Sequence, residues 1–420
     1  MEHYDVVILG GGPAGLAASL AAKQNNASVL IIERENRLGG ILKQCIHDGF
    51  GLIRFNERLS GPEYAEKYIR MVNKAEIPVM LSTFVTNVEK FEDSFKLTIV
   101  NSEEGISKIE STSIILANGC RERTSKQIFI HGTRPAGIYS AGTAQHFVNI
   151  LGCLPCKKCV ILGSGDIGLI MARRLTLEGA KVVGVYEAKS TPSGLTRNIS
   201  QCLDDYNIPL FLSHTITRVM GKDRVEAVEI AKVDEQMNPI KGTEQLIECD
   251  GVILSVGLIP ENEIAESLNI DIDNMTKGPF VDQDFMTLRD RVFSCGNALH
   301  VNDLVDYVSE SGKYAGLNAA LVSQSSQSRT LIPIIKDNQD FLYAVPQYIN
   351  IKSNNKRIVL YFRSSTIRDD VTIKIKCNHT ILFSKRYKTL KPPEMKRIEF
   401  DISNVSLSKE SEFKIVMEAN

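Results

Sequence analysis

The residues best placed to do chemistry in this sequence are glycines and acids that occur as two matched sets. Gly10, Gly12 and Gly15 share one spacing with Gly163, Gly165 and Gly168. Pro13 and Ala14 lie between the second and third glycines of the first set, and Asp166 and Ile167 between those of the second. Glu33 follows Gly15 by 18 residues, and Glu187 follows Gly168 by 19. In such a set the first glycine permits a tight turn and the second lets a pyrophosphate approach the backbone. The third lets the following helix pack on its strand. The helix N-terminus offers free N–H groups and the positive end of its dipole to the phosphates. An acid about 20 residues on can bind the hydroxyls of an adenosine ribose. Two such sets suggest two dinucleotides that exchange electrons.

Each set needs a strand, a turn, a helix and a second strand to hold it. The apolar runs Val6 to Leu9 and Val160 to Leu162 predict buried parallel strands, and SVLIIE (28–33) and KVVGVYE (181–187) predict the second strands. SIILANG (113–119) closes a first α/β unit, and GVILSVG (251–257) closes a second. From 304 to 321 the spacing of Leu304, Val308, Ala315, Leu317 and Leu321 is helical, interrupted at Ser311-Gly312. SQSSQSR (323–329) reads as a linker. Beyond it, from Tyr348 onward, KRIVLYFRSS, VTIKIKCN, KRIEFDIS and EFKIVME alternate apolar and polar residues, predicting a small all-β sandwich. Having no catalytic cluster of its own, the tail reads as a packing or assembly module.

The chain has 420 residues, of which 43% are hydrophobic and 24% charged, with a net charge of −1. That balance fits an ordinary soluble protein of two to four domains and gives no electrostatic footprint for nucleic acid or an anionic membrane. No apolar run is long enough to cross a bilayer as a helix. The first strand starts within a few residues of Met1, leaving no room for a secretion signal, so the expected location is cytoplasmic. Nine scattered cysteines fit free thiols in a reducing compartment.

In this order the pieces resemble the FAD- and NAD(P)-dependent pyridine nucleotide-disulfide oxidoreductase superfamily, over residues 4 to 325. The resemblance implies two nested Rossmann-like domains. An FAD domain would comprise 1–125 and 263–330, an NAD domain 126–262, and the β domain 335–420. For FAD it implies Gly10, Gly12, Pro13, Ala14, Gly15, Glu33, Arg34, Gly39 and Gly40. It adds Ala117 and Gly119 in LANGC (116–120), Gly296 and Asn297 in VFSCGN (292–297), and Ser309 and Gly312. The last two belong to a helix starting around 309–314 whose positive end would face the flavin. The family's late motif ends Gly-Asp; Asn297 brings no charge but can accept a hydrogen bond through its amide oxygen. For the nicotinamide cofactor it implies Gly163, Gly165, Asp166, Ile167, Gly168, Glu187 and Gly257, the last in SVGLIPEN. Glu187 would repel a 2′-phosphate, favouring NAD(H) over NADP.

The phrases LGGILKQCIHDGFG (38–51), HGTRPAGIYSAGTAQ (131–145) and GSGDIGLIMARRLTLEGA (163–180) narrow the resemblance. They match the branch that serves as subunits of FAD-containing dehydrogenase complexes acting on opines, proline or glycine. With the β-rich tail, they point to the oxidoreductases that accompany FAD-dependent glycerol-3-phosphate dehydrogenase. The expected activity is hydride transfer between NAD(H) and FAD beside a partner flavoprotein, with a homo-oligomer as a further possibility.

Cysteine chemistry offers the rival reading. The thioredoxin-reductase dithiol position corresponds to Ala141–Ala144, and the glutathione-reductase position holds a single Cys45. That leaves Cys45, with His47 lowering its pKa, as the centre of a stand-alone NADH oxidase, peroxidase or diaphorase. His300, directly after Gly296-Asn297, is the third catalytic candidate. Cys153, Cys156 and Cys159 have a metal-like spacing but no fourth ligand, so no metal is expected.

Overall fold

The computed structural model describes residues 2–324 and 328–420. The chain forms two compact units, Met1–Cys120 with Pro260–Asn420, and Arg121–Ile259, which is inserted between them in sequence.

In the first unit β1 (His3–Leu9) runs almost directly into α1 (Pro13–Gln24). Pro13 occupies the first turn of that helix, where a missing N–H costs nothing. β2 (Val29–Ile32) and β3 (Gly105–Leu116) pair in parallel with β1 on either side. Alternate residues serve two cores. Val6, Ile8, Val29 and Ile31 pack with the helices, while Val7, Leu9, Leu30 and Ile32 pack on the other face. Burial on both faces is why these strands are unbroken apolar runs rather than alternating ones. An antiparallel hairpin, Thr83–Phe91 with Ser94–Asn101, extends the sheet beyond β3.

The inserted unit repeats the plan. α2 (Ala141–Asn149) precedes β4 (Lys158–Leu162), which leads into α3 (Asp166–Leu177) and β5 (Lys181–Glu187). β6 (Gly251–Leu254) lies on the other side of β4, and all pairs in this five-stranded sheet are parallel. A four-stranded sheet built mainly on His214–Met220 and Ala227–Lys232 completes the unit.

The chain then returns to the first unit. β7 (Val292–Ser294) pairs in parallel with β3, and α4 (Val305–Gln324) packs along α1. The expected break at Ser311-Gly312 does not occur; the helix is continuous from Val305. Side chains at 312 or 316 would overlap the carbonyl oxygens of Ala14 and Ala18, so these glycines let two helices approach closely. Residues 325–327 of the expected linker lie outside the described residues. Arg329 at its end is fixed, donating to Asp282 at 2.7 Å and Asp290 at 2.9 Å.

The C-terminal β region begins earlier than alternation alone predicts, at Leu331–Lys336, followed by β8 (Phe341–Val345). β8 pairs with β9 (Arg357–Ser364), and β9 pairs with β10 (Lys396–Asp401). Leu331–Lys336 belongs to a separate five-stranded sheet, and the region has a core of its own around Leu360, Phe362, Ile373 and Phe413. Tyr343, Val345, Val359 and Tyr361 instead join the first unit's core. The architecture is thus α/β, two Rossmann-like units with a β-rich C-terminal region.

Candidate functional site

The turn after β1 is closed on one side and open on the other. Gly10 has φ +113°, and a side chain there would overlap the Ala117 carbonyl oxygen. One at Gly15 would overlap the carbonyl of Gly10. At Gly12 a Cβ would meet nothing nearer than the Gly40 Cα, at 3.9 Å. Gly39 donates to the Gly11 carbonyl at 2.9 Å, laying Gly39-Gly40 over the turn. Ala14 lies against Gly296. The structure therefore gathers Gly10 to Gly15, Gly40, Ala117 and Gly296 around one opening at the start of α1.

Glu33, buried at the end of β2, accepts the Gly11 N–H at 2.7 Å and the Glu35 N–H at 2.8 Å. Arg34 pairs with Glu261 at 2.7 Å. Gly119 is left-handed, with open space where a side chain would be, and the neighbouring Asn118 Oδ1 is buried without a partner. An open second glycine, a helix N-terminus, a buried acid and an orphaned amide oxygen fit the phosphates, ribose and flavin end of FAD.

The second turn matches the first. A side chain at Gly163 would overlap the Ser255 carbonyl oxygen, and one at Gly168 would lie 2.6 Å from the carbonyl of Gly163. Gly165 is open, its nearest neighbour being Ser255 Oγ at 3.6 Å. Glu187 accepts from Ser164 N–H at 3.0 Å and Ser164 Oγ–H at 2.6 Å, and from Lys189 N–H at 3.0 Å. Asp166 accepts from the Leu195 N–H at 2.9 Å and the Asn198 amide at 2.7 Å. Ile167 packs on the core of this unit. Gly257, at φ +106°, accepts the Arg123 N–H at 3.1 Å. These residues fit a second dinucleotide.

Several expectations need correction. α4 starts at Val305, so Ser309 and Gly312 do not form its N-terminus. Ser309 instead accepts the Tyr64 hydroxyl at 2.8 Å, and Gly312 serves the contact with α1. Asp306, in the first turn, accepts the Arg54 N–H at 2.7 Å and the Gly51 N–H at 3.3 Å. The amide oxygen of Asn297 already accepts Asn302 N–H at 3.0 Å and Asn302 Nδ2–H at 3.3 Å, while its nitrogen donates to Cys120 Sγ at 3.6 Å. The oxygen expected to face the cofactor is thus held by the protein.

The catalytic candidates do not form a cluster. Cys45 is buried, and burial alone pushes its thiol up to about 12, with no lowering by His47. His47 lies beside Phe50, ring centres 4.9 Å apart and planes tilted by 37°. His300 is 1% exposed, and neither ring nitrogen has a hydrogen-bond partner. Burial, aided by the Arg363 guanidinium, takes its pKa down to about 3. Its ring lies 5.2 Å from Tyr361 and 5.8 Å from Tyr343, so it faces the C-terminal region. No group of three or more metal-ligating side chains occurs among the described residues, Cys153, Cys156 and Cys159 included. Nor is any helix among them long and apolar enough to cross a membrane.

Sequence reasoning missed Gly11 and Ser164, whose N–H groups hold the two acids; their place between the first two glycines was the available signal. It also missed Asn302 and the tail residues around His300, for which no local signal exists.

A family model described as pyridine nucleotide-disulphide oxidoreductase matches residues 4–324. Hydrogen cyanide synthase subunit HcnB from Pseudomonas protegens is 24% identical over 63% of this chain, which spans 59% of that protein's length. A ferredoxin–NADP reductase from Leuconostoc mesenteroides is 25% identical over 73% of this chain and 88% of its own. Thioredoxin reductase from T. acidophilum superposes with a TM-score of 0.61 at 21% identity, over 77% of this chain and 100% of its own, a likeness of fold. Paired open glycine turns with buried acids, in this fold and with this match, lead to one conclusion: the chain belongs to the pyridine nucleotide-disulphide oxidoreductase family.

Proposed function

We propose that the protein carries FAD on the Gly10–Gly15 turn with Glu33, binds NAD(H) on the Gly163–Gly168 turn with Glu187, and moves electrons between them. The observation that carries this reading is the repeated pairing of an open second glycine with a buried acid held by the backbone beside it. FAD supplies a two-electron redox centre for hydride exchange with nicotinamide; the protein's task is placement and electrostatics. Gly12 and Gly165 leave room for pyrophosphate. Glu33 and Glu187 direct carboxylates at ribose hydroxyls, and the charge of Glu187 selects NAD(H) over its 2′-phosphorylated form.

The protein works in the cytoplasm as a subunit that relays electrons to or from a partner flavoprotein, FAD-dependent glycerol-3-phosphate dehydrogenase being the partner proposed. The motif phrases and β-rich tail support that branch, and HcnB is itself named as a subunit. Domain roles follow as proposed: FAD on 1–125 and 263–330, NAD on 126–262, and a β domain at 335–420. A stand-alone peroxidase is less well supported, because Cys45 is held as a neutral thiol.

The test is to purify the protein with its flavin and follow NADH-driven dye reduction, with and without glycerol 3-phosphate and its dehydrogenase, alongside co-purification. Loss of flavin colour on adding NADH, together with stimulation by the partner, is expected. A colourless protein that takes up no flavin overturns the assignment; unstimulated activity overturns the partner alone.

A further inference from the structure

Several side chains of the C-terminal β region converge on the segment between Gly296 and α4. Arg363 of β9 donates to Asp303, to the Val301 carbonyl at 3.4 Å, and to the Tyr343 hydroxyl at 2.9 Å. Asp303 also accepts the Met395 N–H at 2.6 Å. Further along, Glu310 of α4 accepts the Tyr361 hydroxyl at 2.7 Å and the Arg397 guanidinium at 2.7 and 2.8 Å. Asn302 stands between the two anchors of Arg363, Val301 and Asp303. Its N–H and side-chain amide are the donors that hold Asn297 Oδ1, and its amide also donates to the His300 carbonyl at 2.8 Å. The buried, unpartnered ring of His300 shows that this segment is held by its surroundings, since such a side chain would otherwise turn toward water.

We infer that Arg363 is a positioning residue for the flavin site, acting from the C-terminal β region through Asn302 on the side chain of Asn297. The inference rests on the assignment of FAD to this unit. Arg363 fixes the backbone at 301 and 303, which fixes the Asn302 donors. Those donors set the orientation of the Asn297 amide: its oxygen is held by Asn302 and its nitrogen is turned to Cys120 Sγ, which fixes the face this side chain presents to the cofactor. The β region is therefore part of the cofactor site's construction and not only a packing module.

The test is a double-mutant cycle in the full-length holoprotein, reading the FAD dissociation constant from flavin fluorescence, the flavin midpoint potential, and the far-UV melt. Arg363→Met and Asn302→Ala should each weaken FAD by about tenfold, the scale of one well-made hydrogen bond, and shift the potential. In the Asn302→Ala background, which loses the side-chain donors and keeps the backbone N–H, Arg363→Met should cost clearly less on both than it does in the unsubstituted protein. Asp303→Asn, a milder change that keeps Arg363, should give an intermediate loss even if Arg363→Met folds poorly. Equal losses from Arg363→Met in both backgrounds, or a lower melt with unchanged FAD affinity and potential in all variants, would overturn the relay. Failure of the unsubstituted protein to take up FAD would instead overturn the flavin assignment, and is read first.

Discussion

The Gly11 N–H meets the Glu33 carboxylate at 2.7 Å, and the same bond recurs between Ser164 N–H and Glu187 at 3.0 Å. In both units the residue between the first two glycines holds the acid at the end of the next strand. The second glycine is left clear. Turn and acid are thus one device, and damage to either should be felt at the cofactor.

The glycines should divide by role. Gly12→Ala adds a methyl group to open space, so the protein should fold with a melting temperature within a few degrees of the original yet lose FAD affinity by tenfold or more. Gly15→Ala drives a methyl into the Gly10 carbonyl and should lower stability by several kcal/mol. Flavin content and thermal melts of the two variants check this; equal destabilisation would show that the space over Gly12 is not available.

Glu187→Gln replaces an acceptor-only carboxylate with a group whose nitrogen competes with the Ser164 and Lys189 donors. NADH KM should rise by about tenfold, the cost of weakening hydrogen bonds to a charged acceptor. The preference for NADH over NADPH should fall at the same time. Steady-state kinetics with both nucleotides measure the ratio, and an unchanged ratio would remove Glu187 from specificity.

Cys45→Ser should leave NADH-dependent dye reduction within about twofold, because a thiol pushed up to about 12 is almost wholly protonated at neutral pH. Serine can keep the bond that Cys45 makes to the Ile41 carbonyl. Loss of turnover in this variant, with flavin still bound, would restore the peroxidase reading.

Two buried groups should pull stability in opposite directions below neutral pH. Burial raises Asp282 to about 6 despite its Arg329 partner. The folded state therefore holds that proton more tightly than the unfolded state. Its contribution is fully present below the ordinary carboxylate pKa and is lost as pH rises through about 6. His300 is lowered to about 3, so its contribution is present above the ordinary histidine pKa and lost as pH falls. Urea titrations from pH 4 to 7 should show His300→Phe gaining stability over the unsubstituted protein as pH falls below about 6.5. Asp282→Asn should make stability rise more steeply with pH between about 4 and 6. Parallel pH curves for all three proteins would contradict both assignments.

The glycine turns, their strands and their acids were legible because each rests on local rules: apolar runs for strands buried on both faces, and fixed spacing for the turn. The start of α4 was misread at Ser309 because Ser311-Gly312 resembles a break. Gly312 is needed there by the approach of Ala14, a contact distant in sequence. Leu331–Lys336 and Phe341–Val345 escaped the tail's period-two pattern because their strands are short and contain or adjoin prolines. The roles of Asn302 and Arg363 were illegible for the same reason as Gly312: each depends on residues that only folding brings near.

The insertion of Arg121–Ile259 ahead of β7 also governs the order in which the polypeptide can mature. During synthesis β3 leaves the ribosome well before β7, the strand that pairs with its last three residues, and the whole inserted unit must emerge in the interval. The nascent chain consequently leaves the end of β3, Ile114–Leu116, without its partner on that side until Val292–Ser294 is made, and a stall within the insert would leave those three residues open to the wrong neighbour.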